Sequence, residues 1–138
     1  MNNIINILFK ESMKAYKKGE IPVGCIIIKN NKIISKAHNT KQNKHICINH
    51  AEINAIIKAE KKLKDWRLND CVMFVTLEPC DMCKEVIKQS RIKEIYYLLP
   101  SKFNNENNKI INYKLIENQD NKYNEYLSII KRFFNEKR

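Results

Sequence analysis

The chain has 138 residues, of which 43% are hydrophobic, and it contains only two glycines and three prolines. This composition excludes a fibrous or intrinsically disordered protein and predicts a single globular domain over residues 1–138. The formal net charge of +11 favours polyanionic partners such as nucleic acid, although a solvated lysine-rich surface would give the same charge.

The chain carries five cysteines and no recognisable export signal. Its first 18 residues lack a continuous apolar core with a small-residue cleavage site, and no later apolar run approaches the length of a bilayer. These features predict a cytoplasmic protein that has no membrane contact and keeps its thiols reduced. Cys25, Cys47 and Cys71 are expected to be structural thiols.

The first half of the chain predicts a helix, a hairpin, a loop and a second helix. Apolar residues recur at helical spacing over residues 4–17. Two β-branched runs, 23–28 and 32–37, are joined by "KNNK", and Asn-Asn suits the positive φ angles of a tight turn, so we expect a β-hairpin. Residues 40–49 predict a loop over the site, and residues 50–64 predict a helix buried on one side.

The second half predicts strands that alternate with helices. The continuous apolar run 71–77 is typical of a strand covered on both faces. Pro79 suits the first turn of the next helix, which continues toward Ser90, and residues 92–99 predict another strand. Two strands that each follow a helix indicate parallel crossovers, so the predicted fold is a three-layer α/β/α sandwich.

The C-terminal region predicts the remaining elements of this sandwich. Residues 100–109 show no periodicity and predict an exposed loop, whereas residues 113–117 predict a short edge strand, the fifth strand of a mixed sheet. A closing amphipathic helix is predicted by apolar residues at helical spacing, namely Tyr123, Leu127, Ile130 and Phe134.

Three residues have the types and spacing of a metal site. Cys80 and Cys83 lie three apart in the predicted first turn of a helix, where the backbone dipole favours thiolates. The other cysteines offer no second pair of this spacing, and His50, also at a helix start, is the natural third ligand. Three protein ligands leave the fourth tetrahedral position of a zinc ion for water, which is the arrangement of a catalytic site.

Glu52 supplies the base that such a site needs. Two thiolates and one neutral imidazole cancel the charge of Zn²⁺, so the metal should acidify its water less than a three-histidine site would. Glu52 lies two residues after His50 in the first turn, where both side chains can reach a common point. It can take a proton from the water and deliver it to a substrate nitrogen. The H-x-E and P-C-x-x-C pattern is identified as the signature of zinc nucleobase deaminases.

Each of these residues has a simpler interpretation when it is taken alone. The Cys-x-x-Cys pair could be a thioredoxin-like redox pair, but this would leave His50 and Glu52 unexplained. A histidine at a helix start is usually a cap or a surface residue. A structural zinc in a non-catalytic RNA-binding subunit is also open, and the presence of Glu52 argues against it.

The chain also resembles a known family over residues 20–92. It is similar to the bacterial tRNA adenosine deaminases of the cytidine and deoxycytidylate deaminase superfamily, with weaker similarity at "RFF", residues 132–134. The segments that carry this resemblance are "EIPVGCIII" at 20–28, "HN" at 38–39, "HAEINAI" at 50–56, "WRL" at 66–68, "VTLEPCDMC" at 75–83 and "SRI" at 90–92.

The resemblance implies a cytidine-deaminase-like fold and a homodimer that converts adenosine to inosine at the wobble position of an arginine tRNA. It implies one zinc ion per subunit on His50, Cys80 and Cys83, with Glu52 as the proton shuttle. The flipped base of the tRNA anticodon stem-loop would be bound by four further residues, namely Asn39, Val23, Leu77 and the backbone of Ala51. Without the family, Asn39 could equally be a turn residue, and Val23 and Leu77 core residues.

A second class of enzyme shares the same zinc pattern. Deaminases of guanine, cytosine or deoxycytidylate act on small substrates, and "HAEINAI" would suit them too. The basic charge, together with "WRL" and "VTLEPC", favours tRNA. Cations at the C-terminus could contact tRNA phosphates or could simply complement the helix dipole; they are Lys131, Arg132, Lys137 and Arg138.

Overall fold

A mixed five-stranded sheet forms the centre of the protein, as a computed structural model shows for residues 2–101, 111–117 and 119–136. The strand order is β2-β1-β3-β4-β5, with β1 antiparallel to β2 and β3, and with β3, β4 and β5 parallel. The elements are α1 (Asn2–Lys17), β1 (Gly24–Lys29), β2 (Lys32–His38), α2 (Lys41–Lys44), α3 (Ala51–Leu63), β3 (Cys71–Leu77), α4 (Asp81–Gln89), β4 (Glu94–Leu99), β5 (Asn112–Leu115) and α5 (Asp120–Glu136).

Helices cover both faces of the sheet, so the predicted α/β/α sandwich is confirmed. One apolar core lies between the sheet and α3 and α4, with Ile56 and Ile87 facing Met73 and Ile95. The other core lies under α1 and α5 on the opposite face. The crossovers β2-α3-β3 and β3-α4-β4 both join parallel strands, which brings the starts of α3 and α4 to the same edge of the sheet.

The hairpin turn follows the prediction from its asparagines. Asn30 and Asn31 have φ angles of 51° and 63°, a conformation that asparagine tolerates better than most residues. The register between β1 and β2 shifts between Ile27 and Ile28, so β2 carries a bulge at the open edge of the sheet.

Gly24 lets α1 approach β1 very closely. A Cβ atom at this position would lie 2.6 Å from the backbone oxygen of Leu8 and 2.9 Å from the backbone nitrogen of Ser12. These contacts involve helix backbone and cannot be relieved by turning a side chain. Glycine is therefore required here for the packing of the first helix on the sheet.

The predicted loop 40–49 contains a short helix, α2, which was not expected. Its cause lies outside the segment. The buried carboxylate of Glu20 accepts hydrogen bonds from the backbone N–H groups of Gln42 and Asn43 at 3.0 and 2.8 Å, and also from the Asn43 side chain. An acceptor supplied from elsewhere in the chain thus caps the helix start.

The predicted apolar stripe of the last helix was partly wrong. Phe134 is 50% exposed, whereas Phe133 and Tyr126 are buried. Tyr123, Leu127 and Ile130 are partly buried, as predicted. The stripe is rotated because the hydroxyl of Tyr126 finds hydrogen-bond partners inside the protein, so a residue with a polar atom occupies the deepest position.

Some predictions concern residues outside the described part of the chain. Most of the predicted loop 100–109 lies there, as do Lys137 and Arg138. Within the described residues, no helix is both long enough and apolar enough to cross a bilayer.

Candidate metal centre and substrate pocket

The starts of two helices bring the predicted metal ligands together. His50 is the N-cap of α3, and Cys80 is the N-cap of α4, both with extended backbone. Cys83 lies in the first turn of α4 and is fully buried. The prediction placed Cys80 inside the helix, whereas the structure places it one residue before the first helical residue. The Sγ atom of Cys80 still lies within 4.8 Å of the donor atoms of both His50 and Cys83.

The three donor atoms have the spacing of tetrahedral zinc ligands. The Nδ1 atom of His50 lies 3.7 Å from Sγ of Cys80 and 3.5 Å from Sγ of Cys83. Zinc bonds of about 2.3 Å to sulfur and about 2.0–2.1 Å to nitrogen, at tetrahedral angles, separate the two donor atoms by about 3.6 Å. Among the described residues, this group has three members, all within 4.8 Å of one another. The donor set therefore fits zinc with one position left for a further ligand.

The side chains of the three metal ligands are also hydrogen-bonded to one another. Hydrogen bonds from Cys83 and His50 lower the pKa of the Cys80 thiol to about 3. The same bonds raise the pKa of His50 and, together with burial, that of Cys83. The Cys80 thiolate thus accepts hydrogen bonds from two neighbours. A divalent cation at the same point replaces these protons and satisfies all three donors.

Glu52 is buried directly beside the donors, with 4% of its surface exposed. Burial is the largest influence on its carboxyl and raises its pKa to about 7, against the effects of its own backbone N–H and the charge of His50. A carboxyl with this pKa can both hold and release a proton near neutral pH. The structure therefore places a buried carboxyl beside the three metal donors, and the acid-base role of Glu52 stays a prediction.

Asn39 connects the end of β2 to the start of α3. Its Oδ1 accepts the backbone N–H of Ala51 at 2.7 Å, and its own backbone N–H donates to the carbonyl of Val23 at 3.2 Å. The side-chain Nδ2 has no partner among the described residues, so it can donate to a bound molecule. The structure thus brings Asn39, Ala51 and Val23 together next to His50.

The other predicted pocket residues lie close to the core. Val23 is 5% exposed, and Leu77 is partly buried at the end of β3, immediately before the loop that carries Cys80. Their packing accounts for both positions, and their contact with a substrate stays a prediction.

A cavity of about 580 Å³ opens onto Asn39. Its lining includes Lys18 and Lys41, as well as Phe133 and Phe134 from the C-terminal helix, and it does not include the zinc donors. The cavity therefore adjoins Asn39 but not the zinc donors, and its charged lining residues are two lysines and Glu20.

Sequence reasoning missed residues whose importance depends on contacts far along the chain. Glu20 holds α2 in place. Glu78 is buried and accepts the backbone N–H of Ser101 at 3.0 Å, with Lys84 3.8 Å from its other oxygen. Glu20 and Glu78 both lie inside the segments that resemble the deaminase family. The sequence feature that could have identified them is an acidic residue beside a proline or an apolar run.

The comparison with known proteins decides the family. The model of the cytidine and deoxycytidylate deaminase zinc-binding region matches residues 2–99. The chain belongs to this family. Its zinc-binding region contains His50, Cys80 and Cys83, so the prediction of zinc as the cofactor is confirmed.

Several curated proteins with sequences similar to this chain are tRNA-specific adenosine deaminases. A tRNA-specific adenosine deaminase of Streptococcus pyogenes is 43% identical over 88 residues, which is 64% of this chain and 55% of the relative. A tRNA-specific adenosine deaminase of Aquifex aeolicus is 41% identical over 93 residues, which is 67% of this chain and 62% of the relative. The chain thus spans between half and two thirds of the length of these relatives.

Solved structures share the fold. A structure from a study of A-to-I editing by tRNA:A34 deaminases has a TM-score of 0.77 at 24% identity and covers 83% of this chain and 98% of its own. A guanine deaminase from Bacillus subtilis has a TM-score of 0.69 at 24% identity, with 97% and 93% covered. These likenesses confirm the cytidine-deaminase-like fold that the sequence predicts. They do not separate the two substrate classes.

Proposed function

We propose that the protein hydrolytically deaminates adenosine to inosine at the wobble position of an arginine tRNA, with ammonia as the second product. The observation that carries the proposal is the buried Glu52 next to His50, Cys80 and Cys83. The names of the curated relatives support tRNA as the substrate. The net charge of +11, together with Lys18 and Lys41 in the cavity beside Asn39, favours a polyanionic substrate.

Glu52 carries the proton transfers in this proposal. Zinc, when bound, supplies an activated water as the nucleophile. The Glu52 carboxylate would take one proton from the attacking water and pass it to the ring nitrogen next to C6, as the C6–O bond forms. It would then move the proton of the new C6 hydroxyl to the amino group, which leaves as ammonia as the C6 carbonyl forms. Its burial keeps bulk water from competing for the proton, and its pKa of about 7 suits both directions of transfer.

Asn39 and the walls around it would hold the base. The Nδ2 group of Asn39 can donate to a ring nitrogen of adenine, because its Oδ1 is already bound by the N–H of Ala51. Val23 and Leu77 would contact the faces of the base. The wobble nucleotide would be splayed out of the anticodon loop to reach this position.

The flanking RNA would lie along the neighbouring cavity. Lys18 and Lys41 line it and can neutralise phosphates, and Phe134 offers an exposed ring at its rim. We expect binding of the stem-loop to weaken steeply as salt increases. A weak salt dependence would contradict a large phosphate-contacting surface.

The test is a single-turnover assay with the zinc-loaded protein and an arginine tRNA anticodon stem-loop that has A at the wobble position. Inosine is measured by mass spectrometry. Glu52→Gln keeps the size of the side chain and should abolish inosine formation while zinc, measured by elemental analysis, stays bound. Glu60→Gln, at a partly buried carboxyl on the same helix, is the matched control and should retain activity.

Two outcomes would overturn the proposal. Inosine from Glu52→Gln at the wild-type rate would exclude the acid-base role. No inosine from zinc-loaded wild type, together with deamination of free guanine, cytosine or deoxycytidylate, would place the protein in the small-substrate class.

We also propose that the active protein is a homodimer with one zinc ion per subunit. Light scattering coupled to size exclusion measures the mass in solution, and zinc analysis gives the stoichiometry. A monomer that is fully active at assay concentrations would contradict the dimer.

A further inference from the structure

Tyr126 on α5 is the largest fully buried side chain among the described residues, and its hydroxyl both donates and accepts a hydrogen bond. The hydroxyl donates to the carbonyl of Pro22 at 2.7 Å and accepts from the hydroxyl of Thr76 at 3.1 Å. Thr76 is itself fully buried. A residue of the C-terminal helix therefore joins two separate segments, the approach to β1 and the end of β3.

Thr76 extends this connection to the backbone of β1. Its Oγ1 accepts the N–H of Gly24 at 3.1 Å, while its hydroxyl hydrogen points to Tyr126. The two hydroxyls thus each donate one hydrogen bond and accept one, while the N–H of Gly24 donates and the carbonyl of Pro22 accepts. Val23 lies between Pro22 and Gly24, and Leu77 follows Thr76. Both predicted pocket residues are therefore next to residues that these hydrogen bonds hold in place.

The same hydrogen-bonded chain continues to the zinc side of the pocket. The carbonyl of Val23 accepts the N–H of Asn39 at 3.2 Å, and Oδ1 of Asn39 accepts the N–H of Ala51 at 2.7 Å. Ala51 lies between His50 and Glu52 in the sequence. A continuous path of hydrogen bonds and single peptide units therefore runs from Tyr126 to the metal-binding helix.

We propose that Tyr126 is a positioning residue for the substrate pocket, which acts by holding the strand ends that carry Val23 and Leu77 in register with Asn39. The proposal rests on the proposed deaminase function for its kinetic consequences. The physical linkage itself concerns this chain alone. Residue 126 lies beyond the family match, which ends at residue 99, so the hydroxyl that holds these strand ends comes from a region that the family model does not describe.

Removal of the Tyr126 hydroxyl should break these hydrogen bonds without leaving a cavity in the core. Tyr126→Phe keeps the ring, which packs against Phe9 with centroids 6.1 Å apart. It leaves the carbonyl of Pro22 and the hydroxyl of Thr76 each without one buried partner. Two buried hydrogen bonds are lost, and each contributes about fivefold to an equilibrium constant. We therefore expect the opening equilibrium of these strand ends to change by roughly 5- to 30-fold.

The experiment compares zinc-loaded wild type, Tyr126→Phe and Ser90→Ala. Ser90 is a matched control because its buried hydroxyl donates to the carbonyl of Ile87 at 2.7 Å at the far end of α4. Amide hydrogen exchange is followed for Gly24, Asn39 and Ala51. The kinetics of inosine formation are measured on the anticodon stem-loop, with kcat and KM determined separately.

The proposal expects Tyr126→Phe to speed exchange at the three amides by roughly 5- to 30-fold and to lower kcat/KM by a similar factor. Ser90→Ala should lose as much global stability in urea as Tyr126→Phe. It should change neither the exchange of these three amides nor kcat/KM. Unchanged exchange in Tyr126→Phe would overturn the linkage. Faster exchange with wild-type kcat and KM would overturn the positioning role.

The design separates this inference from the proposed function. If wild type forms no inosine, the proposed function fails, but the exchange measurement still tests the linkage. The kinetic comparison is then made on whichever free base the wild type deaminates. Equal kcat and KM for wild type and Tyr126→Phe on that base would again refute the positioning role.

Discussion

The buried carboxylate of Glu20 should control the local stability of α2. It accepts the backbone N–H groups of Gln42 and Asn43, at 3.0 and 2.8 Å, as well as the Asn43 side chain. These bonds lower the pKa of Glu20 in spite of its burial, which acts in the opposite direction. A helix of four residues cannot persist on its own propensity, so its order depends on contacts from outside the helix, and this carboxylate accepts three hydrogen bonds from it.

The substitution Glu20→Gln gives a magnitude that can be checked. A hydrogen bond to a charged acceptor contributes about 1.5–3 kcal/mol, whereas a neutral one contributes about 0.5–1.5 kcal/mol. The glutamine retains one oxygen, so one backbone bond becomes neutral and the other is lost. The free energy of opening α2 should therefore fall by about 2–4 kcal/mol, which corresponds to a rise of roughly 30- to 1,000-fold in opening.

Amide hydrogen exchange under native conditions at Gln42 and Asn43 measures this opening directly. Amides of β3 serve as an internal reference for global unfolding. Glu60→Gln is the matched control, because this carboxyl has no hydrogen-bond partner among the described residues. Exchange at Gln42 and Asn43 that rises less than threefold in Glu20→Gln, or that rises equally in the control, would refute the reasoning.

Three further predictions concern charge, packing and metal. Although burial opposes ionisation, His38 and Lys14 lower the pKa of Glu11 from its usual 4.5 to about 2. The ionised carboxylate therefore stabilises the folded protein fully above about pH 4.5, and this stabilisation is lost as the pH falls toward 2. Glu11→Gln should lose up to about 3 kcal/mol at pH 7 and less at pH 3 in urea titrations; a loss independent of pH would contradict the ion pair. Gly24→Ala should cost about 1–3 kcal/mol in the same titrations, and unchanged stability would contradict the close approach of α1. Cys83→Ser should weaken zinc binding, measured by chelator competition, by more than the roughly 10- to 100-fold expected for loss of an outer partner; unchanged affinity would exclude Cys83 as a ligand.

The elements that sequence predicted well are those whose cause is local. The continuous apolar run 71–77 became β3 with the same bounds, because a strand covered on both faces needs apolar residues throughout. The Asn-Asn turn adopted its positive φ angles for the same local reason. The zinc donors were predictable because the spacing within each helix start fixes which side chains converge.

The features that sequence missed depend on distant partners. Helix α2 exists because Glu20, about 22 residues earlier, supplies its cap. Tyr126 takes the deepest position on α5 because Thr76 and Pro22, 50 and 104 residues away, satisfy its hydroxyl. Periodicity ranks positions by the apolar character of their side chains and contains no information on such partners.

The edges of the sheet restrict how two copies of the chain can associate. The outer strand β2 carries a bulge and the exposed cations Lys32 and Lys36, and the opposite edge, β5, exposes Lys114. Charged side chains and irregular register both disfavour the addition of another strand. A continuous sheet across two subunits is therefore disfavoured at either end. In any stable self-association of this protein, the two copies should contact each other through their helices. Each chain would then keep its own separate five-stranded sheet.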